Sequence, residues 1–237
     1  MSIENNKKLS INGWIYLDKP LGMTSNKLLQ KVRRLFQNCK AGYVGTLDPM
    51  ASGFLPVALG KATKTIKYIE RSSKEYIFTV NWGVKTNTGD LEGEILANNA
   101  MIPSGSDINR CIKLFLGKIK QKPSKFSAIK VNGERAYKLA RKGLEFDLKK
   151  RNIEIYDFKL IKYLSNSQSQ FYVNSSSGTY IRTLIEDFAS SMGVLGHLSS
   201  LRRIGFGKLD KKLISLDSLI SLMHIDKLIR LLKPIDA

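Results

Sequence analysis

The segment that decides the predicted fold is Gly42-Tyr43-Val44-Gly45-Thr46-Leu47-Asp48-Pro49-Met50-Ala51-Ser52-Gly53. Its three glycines can adopt left-handed or crowded backbone conformations that other residues avoid. Pro49 fixes its own φ and keeps Asp48 out of the helical region. The apolar run 54–59 follows, so Asp48 is expected to be a carboxylate held at a rigid bend close to an apolar core. An ordinary Asp-Pro turn, with the carboxylate capping a local amide, explains the same residues.

The charge of the chain gives this carboxylate a context. The chain carries 39 Lys and Arg residues against 20 Asp and Glu residues, a formal net charge of +19. A protein this basic is expected to bind a polyanion or a negatively charged surface. An acid fixed in such a basic surface would repel phosphate, so Asp48 is a candidate for chemistry.

Composition and residue counts exclude several classes of protein. With 43% hydrophobic residues, the 237-residue chain can bury the core of one large domain, or of one domain with a small appendage. It has no apolar run long enough to span a bilayer, and Met1–Ser10 lacks the apolar core of a secretion signal. Cys39 and Cys111 show neither metal spacing nor a redox pair, and His197 and His224 are isolated. The sequence therefore predicts a cytoplasmic protein with no metal site and no membrane partner.

Hydrophobic periodicity predicts the order of the secondary structure. Strands are predicted near 12–18, 54–59, 74–82, 144–149, 151–163, 168–175 and 197–206. Helices are predicted after a Thr24 or Ser25 cap to residue 36, from Asp107 to 116, over 180–192, and in the tail over 215–222 and 225–232. Strands and helices mix without strict βαβ alternation, which favours an α+β fold with a mixed, mostly antiparallel central sheet flanked by helices.

Two single residues are candidates for a site. Tyr76 begins the aromatic face of the predicted strand 74–82, where its ring can belong to the core or serve as a stacking platform. Arg182 falls in the first turn of a predicted helix, where the helix dipole disfavours a cation unless a carboxylate such as Asp48 faces it. The alternative for Arg182 is an ordinary exposed arginine.

A basic segment, Lys118–Gly143, is the third candidate. It holds nine Lys or Arg residues with aromatic residues among them, and Asn132-Gly133 predicts a hairpin within it. Cations can meet phosphates and rings can meet bases, so this pattern is typical of a nucleic-acid contact surface. A solvated peripheral insertion has the same pattern.

Five sequence blocks occur in a specific order: Leu17–Ser25, Gly42–Gly53, Lys74–Tyr76 with Thr86–Gly93, Pro123–Lys130, and Gly178–Arg182. Together they resemble the bacterial tRNA pseudouridine synthase B family over about residues 12–207. Gly42–Gly53 looks like the catalytic loop of that family, and Leu17–Ser25 looks like its N-terminal Lys-Pro motif.

This resemblance implies the pseudouridine synthase fold and an isomerase. The reaction converts uridine 55 in the T loop of tRNA to pseudouridine, without a cofactor or a metal. The glycosidic bond is cleaved, the uracil turns, and its C5 atom is joined to the ribose. The uridine must first be flipped out of the folded loop. The implied partner is the T-stem loop of tRNA, and a monomer is expected.

The resemblance also implies roles for individual residues. Asp48 is the essential acid, which either attacks the ribose C1′ atom or removes the 2′ proton to give a glycal. Tyr76 stacks on the flipped uracil, and Arg182 pairs with Asp48 and keeps it ionised. Leu201 packs near the base, Lys19 supports the site indirectly, and Lys125 and Lys130 grip the RNA. The implied substrate-binding residues are Lys19, Tyr43, Gly45, Thr46, Asp90, Lys125, Lys130 and Leu201.

Two features depart from the family pattern. Tyr43 stands where many members have His, and Tyr can still stack and donate one hydrogen bond. Longer members carry a PUA domain after the catalytic domain. For this chain we expect a catalytic domain over 1–213 with a basic RNA-contacting insertion at 118–150, and a short helical extension over 214–237 without a complete PUA domain.

Two alternative functions are compatible with the composition. A non-catalytic RNA-binding or RNA-folding protein would share the charge and Tyr76, but it would not need Asp48 and Arg182 together. A ribosome-associated structural protein would explain only the net charge.

Overall fold

A computed structural model describes residues 10–222 and 224–235. The expectation that Met1–Ser10 carries no secretion signal falls almost wholly outside these residues, as does the very end of the tail. The described strands are β1 (Gly13–Lys19), β2 (Ala41–Tyr43), β3 (Ala51–Leu59), β4 (Lys74–Trp82), β5 (Val84–Thr86), β6 (Ile95–Asn98), β7 (Gly117–Gln121), β8 (Lys130–Val131), β9 (Glu134–Arg135), β10 (Arg151–Ser165), β11 (Gln168–Ser175), β12 (Gly196–Phe206) and β13 (Ile214–Ser215). The described α-helices are α1 (Ser25–Leu35), α2 (Ile66–Ile69), α3 (Gly105–Phe115), α4 (Ala136–Arg141), α5 (Ile181–Ser191), α6 (Leu216–Ser221) and α7 (Ile225–Ile229), and a 3₁₀ helix spans Gly60–Thr65.

The chain folds into two compact units. Unit 1 comprises the described residues of Met1–Arg71 and Gly207–Ala237, and unit 2 comprises Ser72–Phe206. Both combine helices with mostly antiparallel strands, which confirms the predicted α+β class. The predicted boundaries at residues 213 and 214 stay a prediction. Among the described residues, the helices are all too short or too polar to cross a membrane.

Unit 1 is built on a long antiparallel pair. β1 and β3 pair from Gly13 opposite Leu59 to Lys19 opposite Gly53. β2 also pairs with β3 in the antiparallel sense, while the short β13 runs parallel to β1. This pairing places the segment between β2 and β3, which contains Asp48, at one end of the strands.

Helix α1 covers the core of unit 1. The Thr24 hydroxyl caps it by accepting a hydrogen bond from the Lys27 N–H at 3.1 Å. Leu28, Leu29 and Val32 recur at helical spacing and are buried, and they pack with leucines of β1, β3 and α6. Each such fully buried side chain contributes about 1.5–3 kcal/mol to stability.

Unit 2 contains five successive antiparallel strands, in the order β12-β4-β11-β10-β7. Alternation along β4 agrees with the prediction, because Tyr76, Phe78, Val80 and Trp82 are all buried. The core beneath them is aromatic and is covered by α5. Its ring contacts include Phe78 with Phe171 at 5.6 Å and Phe158 with Phe188 at 5.0 Å between centroids.

Two predicted elements differ from the structure. The strand predicted over 144–149 is wrong, because the described residues 144–150 form a loop. The apolar alternation is present, but a strand also needs a partner backbone to bond with, and of residues 144–149 only Leu148 is buried. Helix α3 begins two residues before the predicted Asp107. Ser104 is its cap, and the Asp107 side chain completes a capping box with it.

Candidate active site

The Asp48 loop joins β2 to β3 in unit 1. Gly45 has a φ of +68°, a left-handed conformation that favours glycine. Val44, Leu47 and Met50 are buried and anchor the loop from both sides of Asp48, which is itself half-buried. The carboxylate is therefore carried on a backbone fixed by packing, as the sequence predicts.

Hydrogen bonds also fix this backbone. The Ala51 N–H donates to the Asp48 carbonyl at 3.1 Å. The Leu47 N–H donates to the Ser25 hydroxyl oxygen at 2.9 Å, and that hydroxyl donates to the Leu47 carbonyl at 2.9 Å. Of the two predicted helix-capping residues, Thr24 is thus the cap of α1, whereas Ser25 bonds to the catalytic-loop candidate.

Of the other predicted site residues of unit 1, Gly45 and Thr46 lie within this loop, and Lys19 and Tyr43 end the strands β1 and β2. Lys19 ends β1 with 0% of its surface exposed, and its ammonium group donates to the carbonyl oxygens of Pro20, at 2.9 Å, and Met23. A lysine buried in this way supports the backbone and is not available to solvent. Its indirect support of the site stays a prediction. Tyr43 is half-buried at the end of β2, and Thr46 is exposed.

Arg182 is held by a ring of acceptors inside unit 2. Its guanidinium donates to the Thr88 carbonyl and to the Phe126 carbonyl, both at 3.0 Å. Its Nε atom lies 3.5 Å from Oδ2 of Asp90, and both side chains are buried. The carboxylate that the helix-dipole argument requires near Arg182 is therefore present in Asp90. The pairing of Arg182 with Asp48 stays a prediction.

Asp90 organises the loop after β5. Its Oδ1 atom accepts the Thr88 hydroxyl at 2.6 Å and the Glu92 N–H at 3.0 Å, while its backbone carbonyl accepts the Thr86 hydroxyl at 2.8 Å. These bonds hold the buried side chain and the backbone of Asp90 in one position. Asp90 is thus a structural partner of Arg182. Its predicted contact with substrate stays a prediction.

Tyr76 and Leu201 lie on the neighbouring strands β4 and β12. Both side chains are buried, at 8% exposure. Directly opposite Tyr76 on β12 is Arg203, which is 1% exposed and hydrogen-bonds to the Tyr76 side chain. Burial lowers the pKa of the Arg203 guanidinium, and the hydrogen bond to Tyr76 opposes that shift.

The basic segment Lys118–Gly143 is hydrogen-bonded to the N-terminal end of α5. The predicted hairpin is present, with β8 and β9 joined by Asn132 and Gly133 at φ angles of +50° and +88°. Lys125 and Lys130 are exposed on this segment. Its base is tied to the backbone of Tyr180 by Gln121, through hydrogen bonds of 3.0 and 2.8 Å. With the Phe126 contact to Arg182, two points of this segment therefore bond to the start of α5.

The residues that the structure describes contain no group of three or more His, Cys, Asp or Glu side chains placed to hold a metal ion.

Family models match nearly the whole chain. Residues 33–181 match the TruB family pseudouridylate synthase N-terminal domain, and residues 182–237 match the tRNA pseudouridylate synthase B C-terminal domain. The chain belongs to the TruB family of pseudouridylate synthases. It is therefore an isomerase.

Individual relatives agree with this membership. The tRNA pseudouridine synthase B of Caulobacter vibrioides is 39% identical over 96% of this chain and 74% of its own length. A Cbf5-Nop10-Gar1 complex contains a chain with a TM-score of 0.74 and 28% identity, covering 97% of this chain and 61% of that one. An H/ACA RNP bound to a substrate RNA containing 2′-deoxyuridine gives a TM-score of 0.70 and 27% identity over 94% of this chain and 59% of that one. This TruB-family chain thus spans about three fifths of those solved chains.

Sequence reasoning missed three contacts: the hydrogen bonds of Ser25 to the loop backbone, the ion pair of Asp90 with Arg182, and the hydrogen bond of Arg203 to Tyr76. Two of them carry a signal in the sequence. Ser25 lies at helical spacing from Leu28, Leu29 and Val32, so its hydroxyl is on the buried face and must find a partner. Arg203 is two residues after Leu201 in a strand and therefore shares its face.

Proposed function

We propose that this chain converts uridine 55 in the T loop of tRNA to pseudouridine, with Asp48 as the essential acid. Membership of the TruB family is the observation that carries this proposal. The relative in Caulobacter bears the name tRNA pseudouridine synthase B, which supports tRNA as the substrate. The net charge of +19 suits a polyanionic substrate.

Asp48 begins the reaction once the uridine has been flipped out of its stack. In one route its carboxylate attacks C1′, the N1–C1′ bond breaks, and uracil departs as an anion. In the other route the carboxylate removes the 2′ proton and the same bond breaks to give a glycal. The uracil then turns and C5 bonds to C1′. In the first route this bond displaces the Asp48 carboxylate from C1′, and in the second route C2′ regains the proton that Asp48 removed. The C5 proton is lost while N1 gains one, so the product is an isomer of the substrate. A carboxylate on a fixed backbone suits both routes, because either one needs an ionised oxygen at the sugar.

Further residues take part in the proposed reaction. Tyr76 stacks on the uracil and assists removal of the C5 proton, and Leu201 provides an apolar contact. Arg182 contributes a fixed positive charge. The exposed lysines of the basic segment hold the T-stem loop through its phosphates. The protein acts as a monomer in the cytoplasm, without cofactor or metal.

The test is direct. The purified chain is incubated with unmodified tRNA without added cofactor, and pseudouridine is mapped by chemical labelling. Product at position 55, and none with tRNA that has cytidine at that position, supports the substrate. Asp48→Asn should abolish product while tRNA affinity stays nearly intact. Turnover above roughly a few per cent in Asp48→Asn would remove Asp48 from its role.

A non-catalytic RNA binder is the second candidate, favoured by the exposed basic segment alone. It would retain tRNA binding in the same experiment but would give no pseudouridine with the wild-type chain.

A further inference from the structure

We infer that Ser25 is a positioning residue for the catalytic loop, one that fixes the Asp48 carboxylate by holding the backbone on either side of it. This inference rests on the proposed role of Asp48. Ser25, the first residue of α1, and Gly22, in the turn before it, bond to the two neighbours of Asp48. On one side, the Ser25 hydroxyl accepts the Leu47 N–H and donates to the Leu47 carbonyl, both at 2.9 Å. On the other side, the Gly22 N–H donates to the Pro49 carbonyl at 2.8 Å.

The turn that contains Gly22 and leads into Ser25 is itself fixed. The buried ammonium group of Lys19 donates to the carbonyls of Pro20 and Met23 within the turn. Gly22 has a φ of +75°, a left-handed conformation that other residues rarely adopt. A chain of contacts therefore runs from Lys19 through the turn to the backbone around Asp48. This gives the Lys-Pro motif a physical link to the acid.

Solvent cannot replace the Ser25 hydroxyl easily. Ser25 is 1% exposed and Leu47 is 4% exposed. Removing the hydroxyl leaves a buried N–H and a buried carbonyl without this partner, at a cost of about 1–3 kcal/mol for each group. The loop can recover these bonds only by moving toward water or another partner. Asp48 is the next residue along the chain, so its carboxylate moves with Leu47.

Such a movement has a specific kinetic signature. A displacement of about 1 Å in a reacting group can cost about a hundredfold in rate. Substrate binding spreads over many phosphate contacts and does not depend on this bond. Loss of the Ser25 hydroxyl should therefore lower the rate of the chemical step and leave tRNA affinity nearly unchanged.

Ser25→Ala is the test variant, and Thr24→Ala is its matched control. The neighbouring Thr24 also uses its hydroxyl to bind a backbone N–H, but that N–H belongs to Lys27 in α1 and not to the loop. Four quantities are measured: single-turnover pseudouridine formation, tRNA dissociation constant, melting temperature, and amide hydrogen exchange of a peptide containing residues 47–51. Ser25→Cys, which keeps the size of the side chain and weakens its hydrogen bonds, replaces Ser25→Ala if that variant does not fold.

We expect Ser25→Ala to lose about tenfold or more in single-turnover rate, with tRNA affinity within about twofold and faster exchange in the 47–51 peptide. Thr24→Ala should lower the melting temperature and keep the wild-type rate. The inference is overturned if Ser25→Ala keeps its rate or its exchange protection, or if both variants lose rate in proportion to their melting temperatures. A wild-type chain that forms no pseudouridine refutes the proposed function instead, and the exchange measurement still decides whether Ser25 holds the loop.

Discussion

Arg182 and Asp90 form a buried ion pair in unit 2, with 3.5 Å between Nε and Oδ2 and side chains only 6% and 4% exposed. The same guanidinium donates to two backbone carbonyls, so it is bonded on three sides. A buried charge is tolerated when it is paired and hydrogen-bonded, and Arg182 and Asp90 each have both an ion-pair partner and hydrogen bonds. Arg182 is therefore held in one orientation by the protein before any substrate binds.

Arg182→Lys should show that this orientation depends on the guanidinium and not on the charge alone. The planar guanidinium bonds at once to the carbonyls of Thr88 and Phe126 and to the carboxylate of Asp90. A lysine ammonium is a compact charge and cannot reach all three groups. We expect the free energy of unfolding to fall by about 1–3 kcal/mol for each buried carbonyl left unpaired, and the pseudouridine rate to fall at least tenfold. Urea denaturation and single-turnover assays measure both. The control is Arg151→Lys, at an exposed position at the start of β10, which should change stability by less than about 0.5 kcal/mol.

Tyr76→Phe should affect the reaction more than it affects the fold. The buried guanidinium of Arg203 donates to the Tyr76 hydroxyl oxygen, so the tyrosine O–H proton is left for another acceptor. Removing that oxygen costs about 1–3 kcal/mol of unfolding free energy, because a charged donor loses its acceptor. We expect the single-turnover rate to fall by a much larger factor than the tRNA affinity.

Tyr172→Phe is the matched control for that prediction. Tyr172 lies on β11 next to β4, and its hydroxyl donates to Glu75 at 3.1 Å. Burial and the Glu75 carboxylate raise the pKa of Tyr172 to about 12, so its hydroxyl stays protonated at neutral pH. It should lose a small amount of stability and keep the wild-type rate. Equal losses of rate in the two variants would make Tyr76 a packing residue.

Local patterns in the sequence account for most of the fold but for little of the contact network of the site. Alternation along β4 and the helical spacing of α1 identify these elements, because buried residues recur at every second position in a strand and at every third or fourth position in a helix. The loop at 144–150 shows the limit of this reasoning, since its alternation has no partner strand to pair with. Asn132-Gly133 predicts the pairing of adjacent strands, but the pairing of strands that are distant in the chain is not contained in any local pattern.

The same limit applies to the candidate site. The Asp48 loop is recognisable from its glycines and proline, because these residues restrict their own backbone. Arg182 and Asp90 are 92 residues apart in the chain, and Ser25 and Leu47 are 22 apart, so their contacts depend on the tertiary fold. A buried polar residue on an apolar face predicts that a partner exists but does not identify it.

Glu186→Gln should reveal how the stability of the fold depends on pH through one carboxyl group of unit 2. Burial raises the pKa of Glu186, partly opposed by the charges of Lys85 and Arg182, while Asp187 and Asp90 raise it further. The folded state therefore binds more protons than the unfolded state above the unfolded pKa of about 4.3, and stability from this group falls as pH rises through that window. We expect the stability of Glu186→Gln relative to wild type to increase as pH is raised from about 4 toward neutrality.

The control for this prediction is a carboxyl group whose pKa is lowered, so its effect on stability changes with pH in the opposite direction. A hydrogen bond from Ser104 lowers the pKa of Asp107 at the start of α3. Its contribution to stability is present above the unfolded pKa of about 3.9 and is lost as pH falls. Asp107→Asn should therefore lose stability relative to wild type as pH rises from about 3 to 5, and by a small amount because the group is exposed. Urea denaturation across this pH range measures both variants, and a parallel response of the two would contradict the assignment for Glu186.

The exposed lysines of the basic segment should control the salt dependence of tRNA binding. Lys125 and Lys130 are exposed, whereas Lys142 of the same segment is paired with Glu134 at 3.0 Å. A lysine that neutralises a phosphate releases counterions, so each lost contact reduces the slope of log affinity against log salt by about 0.7–0.9. We expect this reduction for Lys125→Gln and for Lys130→Gln, and an unchanged slope for Lys142→Gln. Filter binding of tRNA from about 50 to 200 mM salt measures the slopes. Identical slopes for all three variants and the wild type would mean that the segment does not contact phosphates and is a solvated insertion.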